Sequence, residues 1–253
     1  MEQDIIVGVH SIVHAIRNPK RQIVELVACE EGIDKLYKMG GIKKQELDGV
    51  KVKLVSSHKV QELAKELYAQ EDFQYSRVPS GVFLLTSKKE ISETKPLFDA
   101  IDNGEEVKIL CLDGVTDVHN AGAIMRTAAF YNVSHIVFAV KNNFNIGPSM
   151  ARIASGALEY VEIVKCNSLP KFLSALIKRN VTPIGLTEHT EDNDLGEING
   201  IKCLVLGAED RGLSHATVRL LEKKIRLEPM GKIESLNVSV AAAIAMEKVF
   251  SKK

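Results

Sequence analysis

Apolar residues in the first third of the chain follow two different spacings. Short runs rich in Val, Ile and Leu, bounded by polar residues, predict three strands. Stretches with helical apolar spacing lie before and between those runs and predict three helices. The predicted strands are Ile23–Ala28, Val50–Val55 and Val82–Leu85, and the predicted helices are Val9–Ile16, Ile33–Glu46 and Ser57–Ala69. Residues 1–87 are therefore predicted to form a small α/β/α sandwich domain.

The next segment, residues 88–105, has a different character. It is polar, contains Pro96 and Gly104, and shows no sustained apolar period. Composition of this kind is typical of a connecting segment. We therefore predict a linker between two domains.

From residue 106 onward, apolar runs recur without polar alternation and are separated by helical patterns. Continuous apolar strands of this kind indicate a parallel sheet covered by helices on both faces. The predicted strands are Ile109–Leu112, Ile136–Val140, Val161–Val164, Thr182–Leu186, Lys202–Leu206 and Lys224–Leu227. Residues 106–253 are thus predicted to form a second α/β domain.

Composition narrows the class of protein. A chain of 253 residues exceeds the size of a typical single domain, about 100 to 150 residues. It has no apolar run near the roughly 20 residues that span a bilayer, and acid stands near its start where a signal peptide needs base. We expect a cytoplasmic protein with no membrane segment.

Charge gives no global sign of a nucleic-acid partner, because 33 basic residues balance 33 acidic ones. A local patch is conceivable at Arg17, Lys20 and Arg21, although an ordinary solvated surface explains these three charges equally well. Any contact with RNA is therefore expected from local surfaces.

Cysteine and histidine spacing argues against a metal centre. The cysteines have no C-x-x-C spacing, and Cys29, Cys111 and Cys203 lie in or beside apolar runs, which favours buried thiols. His10 and His14 are four residues apart on a predicted helix, but no nearby residues complete a zinc site. No metal is expected.

Three segments place polar residues just after predicted strands or before a helix. Ligands of open parallel sheets bind beyond the carboxyl ends of the strands, so these segments are the candidates for a site. They are Asn120 to Arg126, Gly207 to Gly212, and Ser235 to Asn237. Each has a structural explanation as well: Asn120 and Ser235 are good helix N-caps, and Gly207 and Gly212 suit a turn.

Taken together, the three segments resemble the motifs of the SpoU family of AdoMet-dependent RNA ribose 2′-O-methyltransferases. The matching stretches are LDGVTDVHNAGAIMRTAA, LVLGAEDRGLS and SLNVSVAAAIAME, and the likeness covers residues 109–250. The opening GVHSIVHA is similar to members that carry an added substrate-binding domain, whose fold resembles certain ribosomal RNA-binding proteins. Within the family, the chain resembles enzymes that methylate a guanosine ribose in large-subunit ribosomal RNA.

The resemblance implies a site, a cofactor and an assembly. It implies that Arg126, Asn120, Glu209, Ser235 and Asn237 act on the RNA ribose, with Arg126 at the 2′-hydroxyl and Glu209 orienting its guanidinium. It further implies a homodimer and a C-terminal trefoil knot that holds AdoMet. The AdoMet adenosine would rest on the backbone around Leu206, Gly207, Leu227, Met230 and Leu236.

The chain departs from the family pattern at two places. Relatives have proline directly after the aliphatic residue that ends the last strand, whereas here Pro229 stands one position later, after Leu227 and Glu228. Near relatives carry His-Gln-Gly where this chain has Val78-Pro79-Ser80-Gly81. The first departure affects the cofactor loop and the second affects the choice of RNA.

Other function classes stay open at this stage. Transfer RNA is an alternative substrate, and a non-catalytic RNA-binding or ribosome-assembly factor could keep the same fold. A nucleotide-dependent oxidoreductase would need a G-x-G-x-x-G fingerprint, and the glycines near Gly207 do not form one.

Overall fold

The computed structural model of the chain describes residues 3–71, 73–141, 146–190, 198, 200–233 and 235–251. Contacts between its Cα atoms divide the chain into two units. Unit 1 comprises Met1–Lys89 and Asn145–Tyr160, and unit 2 comprises Glu90–Phe144 and Val161–Lys253. Both units have an α/β fold, as the apolar patterns predict.

The first part of unit 1 alternates strands with helices. A 3₁₀ turn at Lys44–Leu47 follows the second helix. The elements, in chain order, are β1 (Gln3–Val7), α1 (Val9–Arg17), β2 (Ile23–Ala28), α2 (Glu30–Lys38), β3 (Val52–Leu54), α3 (Ser57–Gln70) and β4 (Val82–Ser87).

The remaining elements run from residue 91 to residue 250. They are β5 (Ile91–Ser92), α4 (Thr94–Asp102), β6 (Ile109–Asp113), α5 (Val118–Phe130), β7 (His135–Ala139), α6 (Pro148–Ala154), β8 (Glu162–Cys166), α7 (Leu169–Ile177), β9 (Thr182–Leu186), β10 (Lys202–Gly207), α8 (His215–Val218), β11 (Lys223–Ile225) and α9 (Val238–Phe250). A 3₁₀ turn at Ala157–Glu159 follows α6.

Unit 1 is built on a four-stranded sheet with the order β1-β4-β2-β3. Strand β4 is antiparallel to both β1 and β2, whereas β2 and β3 are parallel. Helices α1 and α2 cover one face through Ile12 and Leu36, and α3 covers the other through Val60 and Tyr68. The predicted α/β/α sandwich is therefore present.

The structure of unit 1 differs from the predicted elements at two places. Strand β1 was not predicted, because its three buried residues, Ile5 to Val7, stand directly before a helix and are too few to show an alternation. The helix predicted at Ile33–Glu46 ends at Lys38, because Gly40 and Gly41 follow it and Gly41 adopts a φ of 64°.

The candidate cationic patch at Arg17, Lys20 and Arg21 is not a joint exposed surface, because Arg21 is buried. The Arg21 side chain is only 4% exposed and donates to Glu159, at 3.0 Å, and to Asp4, at 3.1 Å. Burial alone lowers the pKa of Arg21, but these two carboxylates more than offset that effect and leave it raised. Arg17 pairs with Glu46 at 2.6 Å.

Unit 2 contains a seven-stranded sheet with the order β11-β9-β10-β6-β7-β8-β5. All its neighbouring strands are parallel. The central strands are buried on both faces, as Ile109, Leu110 and Leu204 show. Helix α9 packs against α5 and β10. The parallel sheet predicted from continuous apolar runs is confirmed.

The segment predicted as a linker contains regular structure. Strand β5 pairs with β8, and Leu97 and Ile101 of α4 are buried in the core of unit 2. These two residues are four positions apart on one helical face, and one short helix gives too weak a period to detect among polar neighbours. Residues 88–105 therefore do more than connect two domains.

Candidate active site

The carboxyl ends of β6 and β10 form the edge of the unit 2 sheet at which the predicted residues gather. The two strands are parallel neighbours, and Gly207 is the register partner of Asp113. Each is the last residue of its strand. The loops that carry Asn120 and Glu209 therefore leave the sheet side by side.

The N-cap of helix α5 lies three residues before the predicted cap, Asn120. This N-cap is Asp117, whose Oδ1 accepts from the backbone N–H of Asn120 at 2.8 Å. The prediction that Asn120 caps this helix is wrong, because the aspartate upstream already supplies the capping oxygen. The amide side chain of Asn120 is consequently available for other contacts.

The N-cap of helix α9 lies two residues after its predicted cap, Ser235. Asn237 is the N-cap, and its Oδ1 accepts from the backbone N–H of Ser239 at 2.9 Å and from the Ser239 hydroxyl at 2.6 Å. The prediction that Ser235 caps α9 is therefore wrong. Asparagine and serine are both good N-caps, so the choice depends on where the chain meets α5 and β10.

Glu209 lies in a tight loop directly after β10. Ala208 and Gly212 close this loop with two backbone hydrogen bonds, of 3.0 and 2.9 Å. A Cβ atom at Gly207 would overlap the backbone of Gly212 and Leu213. Glycine is therefore required at position 207, and the loop holds Glu209 close to the end of the sheet.

Asn237 joins the three segments. Its Nδ2 donates to Oδ1 of Asn120 at 3.0 Å and to Oε1 of Glu209 at 2.9 Å. The backbone N–H of Ser239 can only donate, so the Asn237 atom that faces it must be the carbonyl oxygen. The cap of α9 thus fixes which way the Asn237 amide points.

The orientation of the Asn237 amide also determines which way the Asn120 amide points. Because Oδ1 of Asn120 accepts from Asn237, its Nδ2 is the atom left to face elsewhere. Within the described part of the chain, that nitrogen has no hydrogen-bond partner. The cluster can therefore offer N–H donors from Asn120 and one carboxylate oxygen from Glu209 to a ligand.

Two other predicted residues stand apart from this cluster. Arg126 is exposed and makes no hydrogen bond or ion pair with the residues that the structure describes. It follows Asn120 by six residues on α5, which places it about 9 Å along the axis and on a different face. Ser235 is exposed and makes no side-chain hydrogen bond within the same described ranges.

The residues predicted to bind the cofactor occupy the same edge of the sheet. Leu206 and Gly207 end β10, and Leu227 and Met230 follow β11. The Leu206 side chain is fully buried, whereas Met230 is fully exposed and Leu236 is 50% exposed. Leu206 can therefore offer only backbone to a ligand, and Met230 and Leu236 can offer apolar side chains.

The cysteines are buried and do not supply a reactive thiol to this site. All four cysteines are free and buried, as predicted. Burial, and then the neighbouring Cys203 thiol at 3.4 Å, raises the pKa of the Cys111 thiol well above its usual range. Burial likewise raises the pKa of Cys166 to about 11. The Cys111 and Cys166 thiols therefore stay protonated and are poor nucleophiles.

Sequence reasoning missed two residues that shape the site. Asp117 caps α5 and Ser239 fixes the orientation of Asn237. The spacing D-x-x-N at residues 117–120 was a signal for the first, since a capping side chain bonds the N–H three residues on. Ser239 gave no signal, because its role depends on where α9 begins.

Among the residues that the structure describes, no three His, Cys, Asp or Glu side chains are grouped to hold a metal ion. In the same part of the chain, no helix has the length and apolarity needed to cross a membrane.

Comparison with known proteins identifies relatives of this chain. Residues 108–247 match the model of the SpoU rRNA Methylase family. A Staphylococcus aureus (strain COL) protein assigned to the TrmH family of tRNA/rRNA methyltransferases is 27% identical over 262 residues, covering 100% of this chain and 98% of the relative. The 23S rRNA (guanosine-2′-O-)-methyltransferase RlmB of Acinetobacter baylyi is 28% identical over 244 residues, covering 94% and 93%.

Solved structures share the fold. The SpoU methyltransferase AviRb from Streptomyces viridochromogenes, in complex with AdoMet, superposes with a TM-score of 0.72 at 20% identity. The match covers 98% of this chain and 89% of AviRb. An AdoMet-bound rRNA methyltransferase from Sinorhizobium meliloti superposes with a TM-score of 0.71 at 17% identity, covering 97% and 86%.

Proposed function

The chain belongs to the SpoU rRNA methylase family, and on that premise we propose that it methylates a guanosine ribose 2′-hydroxyl in large-subunit ribosomal RNA. Family membership confirms the resemblance inferred from the motifs and makes the chain an AdoMet-dependent RNA methyltransferase. The choice of guanosine and of ribosomal RNA rests on the resemblance and on the activity that RlmB's name states. We expect the enzyme to act in the cytoplasm.

The observation that carries this proposal is the side-chain cluster at the sheet edge. Asn237 bonds both Asn120 and Glu209, so residues from three family motifs meet through two hydrogen bonds. A purely structural cap would need only the contacts of Asn237 with Ser239. The additional polar groups, placed at the carboxyl ends of parallel strands, support a catalytic use.

The chemistry assigned to this chain is positioning and charge stabilisation. Bound AdoMet supplies an electrophilic methyl group, and the attacking ribose oxygen must be aligned with it. The Nδ2 donors of Asn120 would hold an oxygen of the ribose or the adjoining phosphate. Negative charge on the reacting oxygen is stabilised by donors that are already in place.

Arg126 is proposed to contact the 2′-hydroxyl and its phosphate as a cation. A guanidinium carries five N–H donors and no acceptor, so it is not the proton acceptor. We therefore assign the base to water or to an RNA phosphate oxygen. Ser235 is proposed to bind the RNA backbone, since its hydroxyl is exposed.

A second copy of the chain is proposed to complete the site. Arg126 does not face Asn120 on its own helix, so we propose that it joins the corresponding cluster of another copy. Helix α9 buries Ala242 and Met246 and exposes Val240 and Ile244, four residues apart, by 49% and 40%. We propose that the same face of a partner covers this apolar face, and that Arg126 then contacts the partner's Glu209, whose second carboxylate oxygen would orient it.

The predicted cofactor residues are proposed to bind AdoMet. The loops after β10 and β11 leave one edge of the sheet, separated by β9 alone, which sets them about 10 Å apart. Exposed Met230 and Leu236 supply the apolar surface that an adenine ring needs, and the backbone at Leu206, Gly207 and Leu227 supplies hydrogen-bonding groups. A trefoil knot around this loop stays a prediction, as does the use of unit 1 to bind RNA.

The decisive experiment is transfer of labelled methyl from AdoMet to bulk ribosomal RNA and, separately, to transfer RNA. We expect label in 23S ribosomal RNA, mapped to the 2′-oxygen of one guanosine. Methyl on a base would overturn the ribose assignment, and label in transfer RNA alone would move the substrate to that class. RNA binding without any transfer would favour an assembly factor.

Arg126→Lys tests the role of the arginine in the same assay. Lysine keeps the charge but loses the fork of donors, so turnover should fall by about 10²-fold, as for removal of a donor that stabilises an oxyanion. Arg219→Lys is the control, because among the described residues the Arg219 guanidinium donates only to the carbonyl of His215, at the start of α8. Equal turnover of the two variants would contradict the assignment.

A further inference from the structure

Asp113 bridges two segments of the site. It ends β6, opposite Gly207 on β10, and its Oδ2 accepts from the backbone N–H of Ser214 at 2.9 Å. Ser214 follows it by 101 residues and is the N-cap of α8. One carboxylate thus holds the far end of the loop that begins at Gly207.

The loop held in this way is the one that carries Glu209. Its neck is closed by the paired hydrogen bonds of Ala208 and Gly212. Strand β10 anchors its first end, and the bond from Ser214 to Asp113 anchors its second. A loop fixed at both ends can place a carboxylate accurately, whereas a loop fixed at one end can pivot about the strand.

Asp113 itself lies outside the cluster. Its described hydrogen bond goes to Ser214, whereas Asn237 holds Glu209 and Asn120. Asp113 also ends the strand that leads, seven residues later, into Asn120. It therefore ties the Glu209 loop to the very strand from which Asn120 departs.

We propose that Asp113 is a positioning residue that fixes the Glu209 loop against β6 through the backbone amide of Ser214. The proposal rests on the proposed function for its kinetic consequence, but not for its structural one. A misplacement of about 1 Å in a catalytic group can cost about 10²-fold in rate. Loss of this anchor acts on Glu209 without removing any group that touches RNA or AdoMet.

Substitution of Asp113 separates the two consequences. Asp113→Ala should lower kcat by about 10- to 100-fold and leave KM for RNA and AdoMet nearly unchanged. Asp113→Asn keeps an acceptor oxygen and should restore kcat to within about threefold, since a neutral acceptor weakens the bond without removing it. Asp210→Ala is the matched control, because Asp210 lies in the same loop, is exposed and, among the residues that the structure describes, pairs only with adjacent Arg211.

Ser214 supplies an independent way to remove the same bond. Its φ of −63° suits proline, so Ser214→Pro deletes the N–H donor without forcing a new φ. Ser214→Ala removes the hydroxyl cap of α8 but keeps that N–H, and it controls for the cap. The kcat of Ser214→Pro should match that of Asp113→Ala, and the double variant should be no slower than either one.

Hydrogen exchange at the Ser214 amide tests the anchor without reference to activity. Asp113→Ala should accelerate that exchange and Asp210→Ala should not. Unchanged exchange, additive kcat losses in the double variant, a loss confined to KM, or failure of Asp113→Asn to restore kcat would each overturn the proposal. If the wild-type chain transfers no methyl to RNA, the proposed function fails, and the exchange measurement still decides whether Asp113 anchors the loop.

Discussion

Two arginine–glutamate pairs of unit 1 allow a controlled test of how burial changes the value of an ion pair. Arg21 and Glu159 meet at 3.0 Å with side chains that are 4% and 3% exposed. Arg17 and Glu46 meet at 2.6 Å with side chains that are 43% and 28% exposed. The perturbation is Glu159→Gln, with Glu46→Gln as its control; both remove a charge and keep the shape.

The expected magnitude follows from what remains around each arginine. After Glu159→Gln, the buried Arg21 keeps Asp4 at 3.1 Å and the carbonyl of Ser87 at 2.6 Å. Removing one partner of a buried pair costs about 3 to 5 kcal/mol, and the remaining carboxylate places the expected loss near 3 kcal/mol. Arg17 is exposed, so water replaces the lost charge in Glu46→Gln and the loss should be small.

Tyrosine emission during urea unfolding measures this loss in unit 1. The chain has five tyrosines and no tryptophan, and Tyr37, Tyr68, Tyr75 and Tyr160 belong to unit 1. The free energy of unfolding from this signal should fall far more for Glu159→Gln than for its control. Equal losses, or a loss below about 1 kcal/mol for Glu159→Gln, would refute the reasoning, because exposed pairs contribute that little.

Two further results are expected. Gly207→Ala should abolish AdoMet binding measured by calorimetry, because the added Cβ overlaps Gly212. Gly231→Ala should bind normally, since the Cβ added there meets no described atom within 4 Å; equal affinities would contradict this. The hydrogen bond from Arg17, then that from the Lys43 backbone, lowers the pKa of Glu46 from 4.5 to about 2. The stability that this carboxylate contributes is small because the pair is exposed to water; it should be complete above pH 4.5 and lost as the pH falls towards 2. Carboxyl NMR of Glu46 titrating near 4.5 would refute this.

Much of the fold was determined by local sequence. The apolar runs at Ile109–Leu112 and Thr182–Leu186 predicted strands that the structure places within one residue, because a strand buried on both faces needs such a run wherever it lies. The motifs also identified the correct family. Helix starts were less well determined, since Asp117 and Asn120, or Ser235 and Asn237, are all acceptable caps.

Tertiary structure decided what those residues do. Asn237 meets Asn120 across 117 residues and Glu209 across 28, and only the register of β6 with β10 and the docking of α9 on α5 bring them together. Arg21 looked like a surface cation and is buried, because Glu159 reaches it from 138 residues away. Local spacing determines which element a residue belongs to, whereas contacts between distant segments determine its partner, and hydrogen bonds act only over about 3 Å.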